Sequence, residues 1–414
     1  MRRLGEFAGQ SELQVANLES AALVYEPFKS VYRMKFVVAC RRNRYGEGLG
    51  NEMITWAKGS IASEVLNARL VGPSWGLNPR QYWRNFRTSR VDIVVEEFLR
   101  HLPHFSFTEQ DYKTSNHLDF GLAVKEWAIE RGLFRLKHFI VTVDGMYGGY
   151  RCVWTARHFL MSKLLSSKDA VPNVYRTMSG LDPRKLFVAV HMRLGEDFAA
   201  ADSEAYIRGE FNVRIPINWY TNVCQALLEE FGDRIEFRFF SDKMGLEFRE
   251  IVARFNPNQQ IGRGLTECSD LILMAEADLR VCSISSYSMM AGMLGFGPYL
   301  WYEPQLHLHD GLYSLWGCQT SPRQIKSLSP EGVEVTGPNQ SGFGSEFRGY
   351  PVVRDGVLPS GLIAQLHRTL AKKDPLRDLL RYGCVPVGSH ANSTSAIPIL
   401  SCGSQRSFVN SRSL

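Results

Sequence analysis

VAVHMRLGED, Val188 to Asp197, opens as an uninterrupted apolar run and then places a histidine, an arginine and two carboxylates close together. A short apolar run of this kind reads as a strand buried on both faces. In an open α/β sheet ligands settle beyond the carboxyl ends of the strands, so polar groups that follow such a run stand at the binding edge. The pattern then repeats along the chain. Strand LFVAVHM (186–192) is followed by a helix from Trp219 to Phe231, strand IEFRFFSD (235–242), a helix near Glu267 to Ala277, strand LRVCSIS (279–285), helix SYSMMAGML (286–294) and strand PYLWYE (298–303). Strand and helix in alternation predict a parallel sheet covered by helices on both faces.

Upstream, MKFVVAC (34–40) is a second β-rich run, and the RRNRYGEGLGN that follows carries glycines 46, 48 and 50, which mark a loop. From Asn51 to Leu66 the residues Met53, Trp56, Ala57, Ile61 and Val65 recur near helical spacing. The stretch 71–137 is aromatic and basic with weaker periodicity. HFIVTV (138–143) is again a strand, followed by the glycine-rich turn DGMYGGY and a helix to about Leu165. These boundaries predict an extension over 1–30, a Rossmann-like domain over 31–180 and a second over 181–325. Residues 326–384 read as a C-terminal extension whose helix, roughly Pro359 to Leu380, packs back onto the body. The Ser-rich, apolar-poor 385–414 reads as disordered.

With 414 residues, 44% hydrophobic and 22% charged, the chain is too long for one ordinary core, so two domains are the default. A net charge of +6 suits an anionic ligand, or peripheral contact with an acidic membrane surface, but falls short of a nucleic-acid footprint. Eight cysteines (40, 152, 224, 268, 282, 318, 384, 402) show neither a CxxC pair nor metal-ligand spacing, which argues against a zinc site and a disulfide scaffold. Free thiols in a reducing compartment follow. The first twenty residues hold no signal-peptide core, and no segment approaches a membrane span, so a cytoplasmic location is expected.

Each candidate motif has a functional and a purely structural reading. The loop YGEGLGN (45–51) lies between strand and helix, where amides and the positive helix end receive anions, yet it lacks both GxGxxG and GK[ST] spacing and serves equally as a tight turn. His191 and Arg193, two apart at a strand end, are expected to project to one side. There Arg193 clamps a phosphate through its planar fork, or else pairs with Glu196 or Asp197 while His191 is a satisfied core group. Asp242 accepts from the donor edge of guanine, or caps a helix. Ser285, Ser286 and Ser288, with Tyr287 among them, open a helix whose amides and hydroxyls form a phosphate cradle, or simply cap it. Taken together, three adjacent strand ends offering Arg, Asp and Ser-Ser read as a nucleotide-diphosphate site.

In order, GEGLGNEM, VDGMYGGY, HMRLGED, FFSD and DLILMAEADLRVCSISSYSMMAGML resemble the motif series of the fucosyltransferase superfamily, over about residues 34–303. The resemblance implies a GT-B fold, two Rossmann-like domains facing across a cleft. It implies that Arg193 contacts the β-phosphate of GDP-fucose, that His191 and Asp242 belong to the donor site with Asp242 on guanine, that Ser285 and Ser286 match the third motif, and that Gly48, Gly50 and Asn51 match the N-terminal loop. Related members carry H-x-R-R-x-D, where this chain has Leu194 and Glu196; Asp197 follows one place later. The expected function is inverting, metal-independent transfer of fucose to a hydroxyl of a glycan acceptor, with no cofactor beyond the donor. A carboxylate among Glu196, Asp197, Asp202 and Glu204 is the expected base, Glu196 and Asp197 first. A GT-B transferase using another nucleotide sugar, and a non-catalytic nucleotide- or glycan-binding homologue, are the alternatives. The stretch NPRQYWRNFRTSR (78–90) either stacks on acceptor sugars or is a loop with a few core anchors.

Overall fold

The structure, a computed structural model, describes residues 34–39, 48–72, 80, 82–86, 101–115, 117, 119–143, 145, 147, 149–196, 198, 213–261, 265–283, 285–302, 304, 307–308, 311–313, 319–320 and 349–373. Two parallel sheets organise it, each flanked by helices, as the alternation of strand and helix predicts. The first sheet runs in the order β2-β1-β4-β3 and is built from β1 (Met34–Ala39), β2 (Arg69–Val71), β3 (His104–Phe107) and β4 (His138–Val143). The long helix α1 (Leu49–Val65) joins β1 to β2, which pair in parallel and so need a crossover connection.

The second sheet contains β5 (Leu186–Met192), β6 (Ile235–Ser241), β7 (Leu279–Val281) and β8 (Tyr299–Tyr302). Three short antiparallel strands, β9 (His307–Leu308), β10 (Gly311–Tyr313) and β11 (Gln319–Thr320), stand apart, and β12 (Gly349–Val352) returns to the second sheet beside β8. Its order is β12-β8-β7-β5-β6. Every residue of β5 is buried, which explains why its apolar run is continuous rather than alternating.

Helices α2 (Phe120–Glu130), α3 (Arg157–Leu165) and α4 (Ala170–Met178) belong to the first half. The second half supplies α5 (Ile217–Phe231), α6 (Leu246–Phe255), α7 (Glu267–Glu276), α8 (Ser286–Leu294) and α9 (Ser360–Ala371). One hydrophobic core runs from the first sheet through α1, α3 and α4 to α7 and α8, and reaches the near face of the second sheet at Phe187, Ala189, Phe240 and Trp301. Because it is covered on all sides, α1 is buried almost all round from Leu49 to Ala62. A separate core on the far face joins Val188, Val190, Phe237 and Phe239 to α5, α6 and α9, with Leu362 and Leu366 fully buried.

Several elements differ from the sequence reading. The helix after the glycine loop starts at Leu49, two residues before Asn51, with Gly48 as its N-cap, so Gly50 is helical and not a loop residue. The weakly periodic stretch 71–137 contains β3 and α2: a four-residue strand with half of its side chains exposed leaves no apolar run to read. Helix α6 and strand β12 were not expected; β12 and α9 together complete the second sheet and its outer cover. Residues 385–414 lie outside the described residues. Among the described residues no helix is long and apolar enough to cross a membrane, and Cys152, Cys224, Cys268 and Cys282 are free, buried thiols.

Candidate active site at the strand ends

Strand register brings the expected groups to one edge. His191 lies opposite Phe240 and Met192 opposite Ser241, while Val190 pairs with Val281, so the carboxyl ends of β5, β6 and β7 stand side by side. Arg193, Asp242 and the serines that open α8 follow these three ends directly. In a doubly wound sheet this edge is the binding edge.

His191 is 4% exposed, and its Nδ1 lies 2.6 Å from Ser288 Oγ and 3.0 Å from Ser283 Oγ. Its ring leans on Tyr287 at 5.3 Å between centroids. Burial holds its pKa at about 4; Arg193 pushes it the same way and Asp242 opposes both. The imidazole is therefore neutral at pH 7, and the two serine hydroxyls satisfy one nitrogen. The core reading of His191 fits this geometry.

The strand stops at Met192, and Arg193 is the first residue beyond it. Its Nη1 lies 2.7 Å from Asp242 Oδ2, and its guanidinium lies 4.8 Å over the Phe198 ring. It thus pairs with the neighbouring strand end, while Asp197 lies outside the described residues. Asp242 also accepts from Leu194 N at 2.8 Å and from Gly195 N at 3.0 Å. It caps no helix: α6 begins after Gly245 without a side-chain cap. Glu196 is 89% exposed and pairs with Lys243 at 3.3 Å. Asp197, Asp202 and Glu204 lie outside the described residues.

The opening of α8 is a closed hydroxyl network. Ser285 is the N-cap and accepts from Ser288 N at 3.3 Å, and Ser283 Oγ donates to Ser285 Oγ at 3.3 Å. Tyr287 donates its hydroxyl to Glu267 O at the start of α7, and burial raises its pKa. Ser286 is held through its carbonyl, which accepts from Tyr150 OH at 2.7 Å. Gly50 packs directly on this turn: a Cβ there would stand 2.4 Å from Ser286 C and O. The positive ends of α1 and α8 therefore abut, and their combined field favours an anion. In that first turn of α1, Asn51 Oδ1 is buried without a hydrogen-bond partner among the described residues. A sugar hydroxyl satisfies such an acceptor, and with the amide turned over a phosphate oxygen does.

Sequence reasoning missed several members of the site. Ser283 lies inside a motif it quoted yet was read as strand. Arg214 donates to Leu194 O and Phe198 O, an assignment that needed tertiary structure. Away from these groups, Asp270 on α7 has its pKa lifted to about 7, first by burial, against the opposing pull of Arg238 in mid-strand β6. The 78–90 stretch supplies core anchors where it is described: Tyr82 is buried, and Phe86 meets Trp56 edge-on at 5.3 Å.

The chain matches no protein-family model and no curated protein. Solved structures to which it is similar include POFUT1 in complex with GDP-fucose, at 13% identity over 65% of this chain and 97% of that one, with a TM-score of 0.39. Fucosyltransferase NodZ from Bradyrhizobium aligns at 13% identity over 64% of this chain and 93% of that one, TM-score 0.38. NodZ alpha-1,6-fucosyltransferase soaked with GDP-fucose aligns at 14% identity over 64% and 94%, TM-score 0.39.

Proposed function

We propose that the protein is an inverting GT-B glycosyltransferase that moves fucose from GDP-fucose to a hydroxyl of a glycan without a metal. The observation that carries this reading is the convergence of Arg193, Asp242 and the serine-opened helix α8 on three neighbouring strand ends, in the motif order of the superfamily.

The acceptor oxygen attacks the anomeric carbon as the bond to the diphosphate breaks, and the electron pair leaves on the β-phosphate oxygen. The protein must stabilise that charge. Arg193 supplies a guanidinium fork, and the abutting N-termini of α1 and α8 supply oriented amides beside Asn51. The acceptor's proton goes to a carboxylate, with Glu196 and Asp197 in that role; Glu196 is solvent-exposed. The acceptor site is assigned to the first domain.

One observation favours a second reading. The Asp242 carboxylate is engaged by Arg193 and two backbone amides, so guanine recognition needs it to turn away. If it stays, the donor carries another base. Hydrolysis of GDP-fucose without acceptor, followed by release of fucose, tests the enzyme reading. Fucose released by the wild type and not by Arg193→Ala supports it; no release from any nucleotide sugar points to a binding protein instead.

A further inference from the structure

The turn after β5 forms a seat for an anion. Leu194 N and Gly195 N both donate to Asp242, at 2.8 Å and 3.0 Å, and Arg193 Nη1 reaches the same carboxylate at 2.7 Å. Successive backbone N–H groups with a guanidinium beside them make an anion-binding concavity. Here the anion that fills it belongs to the chain itself.

The turn is also held by groups other than its occupant. Arg214 Nη2 donates to Leu194 O at 2.9 Å and its Nε to Phe198 O at 3.1 Å, while Phe198 N closes on Gly195 O at 3.1 Å. These contacts hold the turn from the other side and none involves Asp242. A Cβ at residue 195 would stand 2.1 Å from Asp242 Oδ2, inside the seat, so glycine leaves the seat open to its occupant. The seat opens to solvent, with the Arg193 and Asp242 side chains 19% and 22% exposed.

We propose that Asp242 is a built-in competitor: its carboxylate occupies the place that a phosphoryl oxygen of the donor takes, and a nucleoside diphosphate binds by displacing it. This rests on the diphosphate reading above. Carboxylate and phosphoryl oxygens accept from the same donors, and their like charges exclude joint occupancy. A molecule with Asp242 seated does not bind, so the apparent affinity falls by the fraction of open seats.

The test titrates full-length wild type, Asp242→Asn and Asp242→Ala with pyrophosphate and with GDP by calorimetry, folding being checked by circular dichroism. Pyrophosphate is expected to bind on the order of tenfold more tightly to Asp242→Ala, and more tightly to the isosteric Asp242→Asn as well. Adding Gly195→Ala to Asp242→Ala is expected to remove the gain, since the methyl fills the seat. Unchanged or weaker pyrophosphate binding in both single variants overturns the proposal. So does a gain that survives Gly195→Ala, because the anion is then bound elsewhere. A GDP affinity equal to that of pyrophosphate in every variant contradicts the nucleotide reading while the pyrophosphate gain still supports the seat.

Discussion

Replacing Gly50 by alanine inverts the usual sign of a helix substitution. In an ordinary helix interior, glycine to alanine gains about 0.5–1 kcal/mol from reduced backbone entropy. Gly50 instead faces α8, where the added Cβ would lie 2.4 Å from Ser286 C and O and 2.7 Å from Tyr287 N. Carbon contacts are optimal near 3.5–4.0 Å, so α1 and α8 must part by roughly 1 Å. The obstructing atoms are backbone, and no rotamer change relieves them. Overpacking costs about 1–3 kcal/mol, with rigid contacts at the upper end, which leaves a net loss of about 2 kcal/mol after the helix gain. That corresponds to a fall in melting temperature of roughly 4–8 °C, measured by scanning calorimetry. Gly48→Ser is the control: nothing lies within 4 Å of a Cβ at Gly48, its φ of −68° suits any residue, and serine is a preferred N-cap. It is expected to melt at or above wild type. A Gly50→Ala protein that also melts at or above wild type refutes the close approach of the two helix ends.

Acid should destabilise the fold through His191. Its folded pKa of about 4 lies below the unfolded value of 6.5, so the unfolded chain binds more protons between them. Its contribution is full above about pH 6.5 and fades toward pH 4, a loss of about 3 kcal/mol that urea titrations at several pH values will show and His191→Gln will diminish. Arg193→Ala should lower transfer about 100- to 1,000-fold, as loss of a donor to transition-state charge does, and Arg193→Lys should restore little because a point charge does not replace the fork. Activity should survive EDTA; inhibition reversed by a divalent cation would count against a metal-free donor site. Glu196→Gln should lower turnover with donor binding intact, and unchanged turnover moves the base to Asp197 or removes it.

What the sequence made legible follows from burial. Strand β5 is buried at every position, so LFVAVHM is a continuous apolar run whose end can be read to the residue. Helix α8 is equally plain, because Ser285 caps it and apolar residues fill its interior. Short or half-exposed elements carry no such signature, and β3, α6 and β12 went unread for that reason. The site divides the same way. Which strand ends meet was legible from the alternation, whereas what their side chains hold was not. Arg193 pairs with Asp242 at the end of the next strand, and the nearby Glu196 pairs with Lys243. Gly50 lies in a glycine-rich stretch that reads as an anion loop or a tight turn, and in fact it admits the backbone of a helix from the other half of the chain.

The most direct test of the central claim is a thermal-shift panel of GDP, UDP, ADP, CDP and pyrophosphate on wild type and Arg193→Ala. At a hundredfold excess over its dissociation constant a ligand adds about 2.7 kcal/mol to stability. GDP is expected to raise the melting temperature of the wild type well beyond the other nucleotides, and Arg193→Ala to lose most of that shift. Equal stabilisation of both proteins by GDP, or no stabilisation by any nucleoside diphosphate, would contradict it.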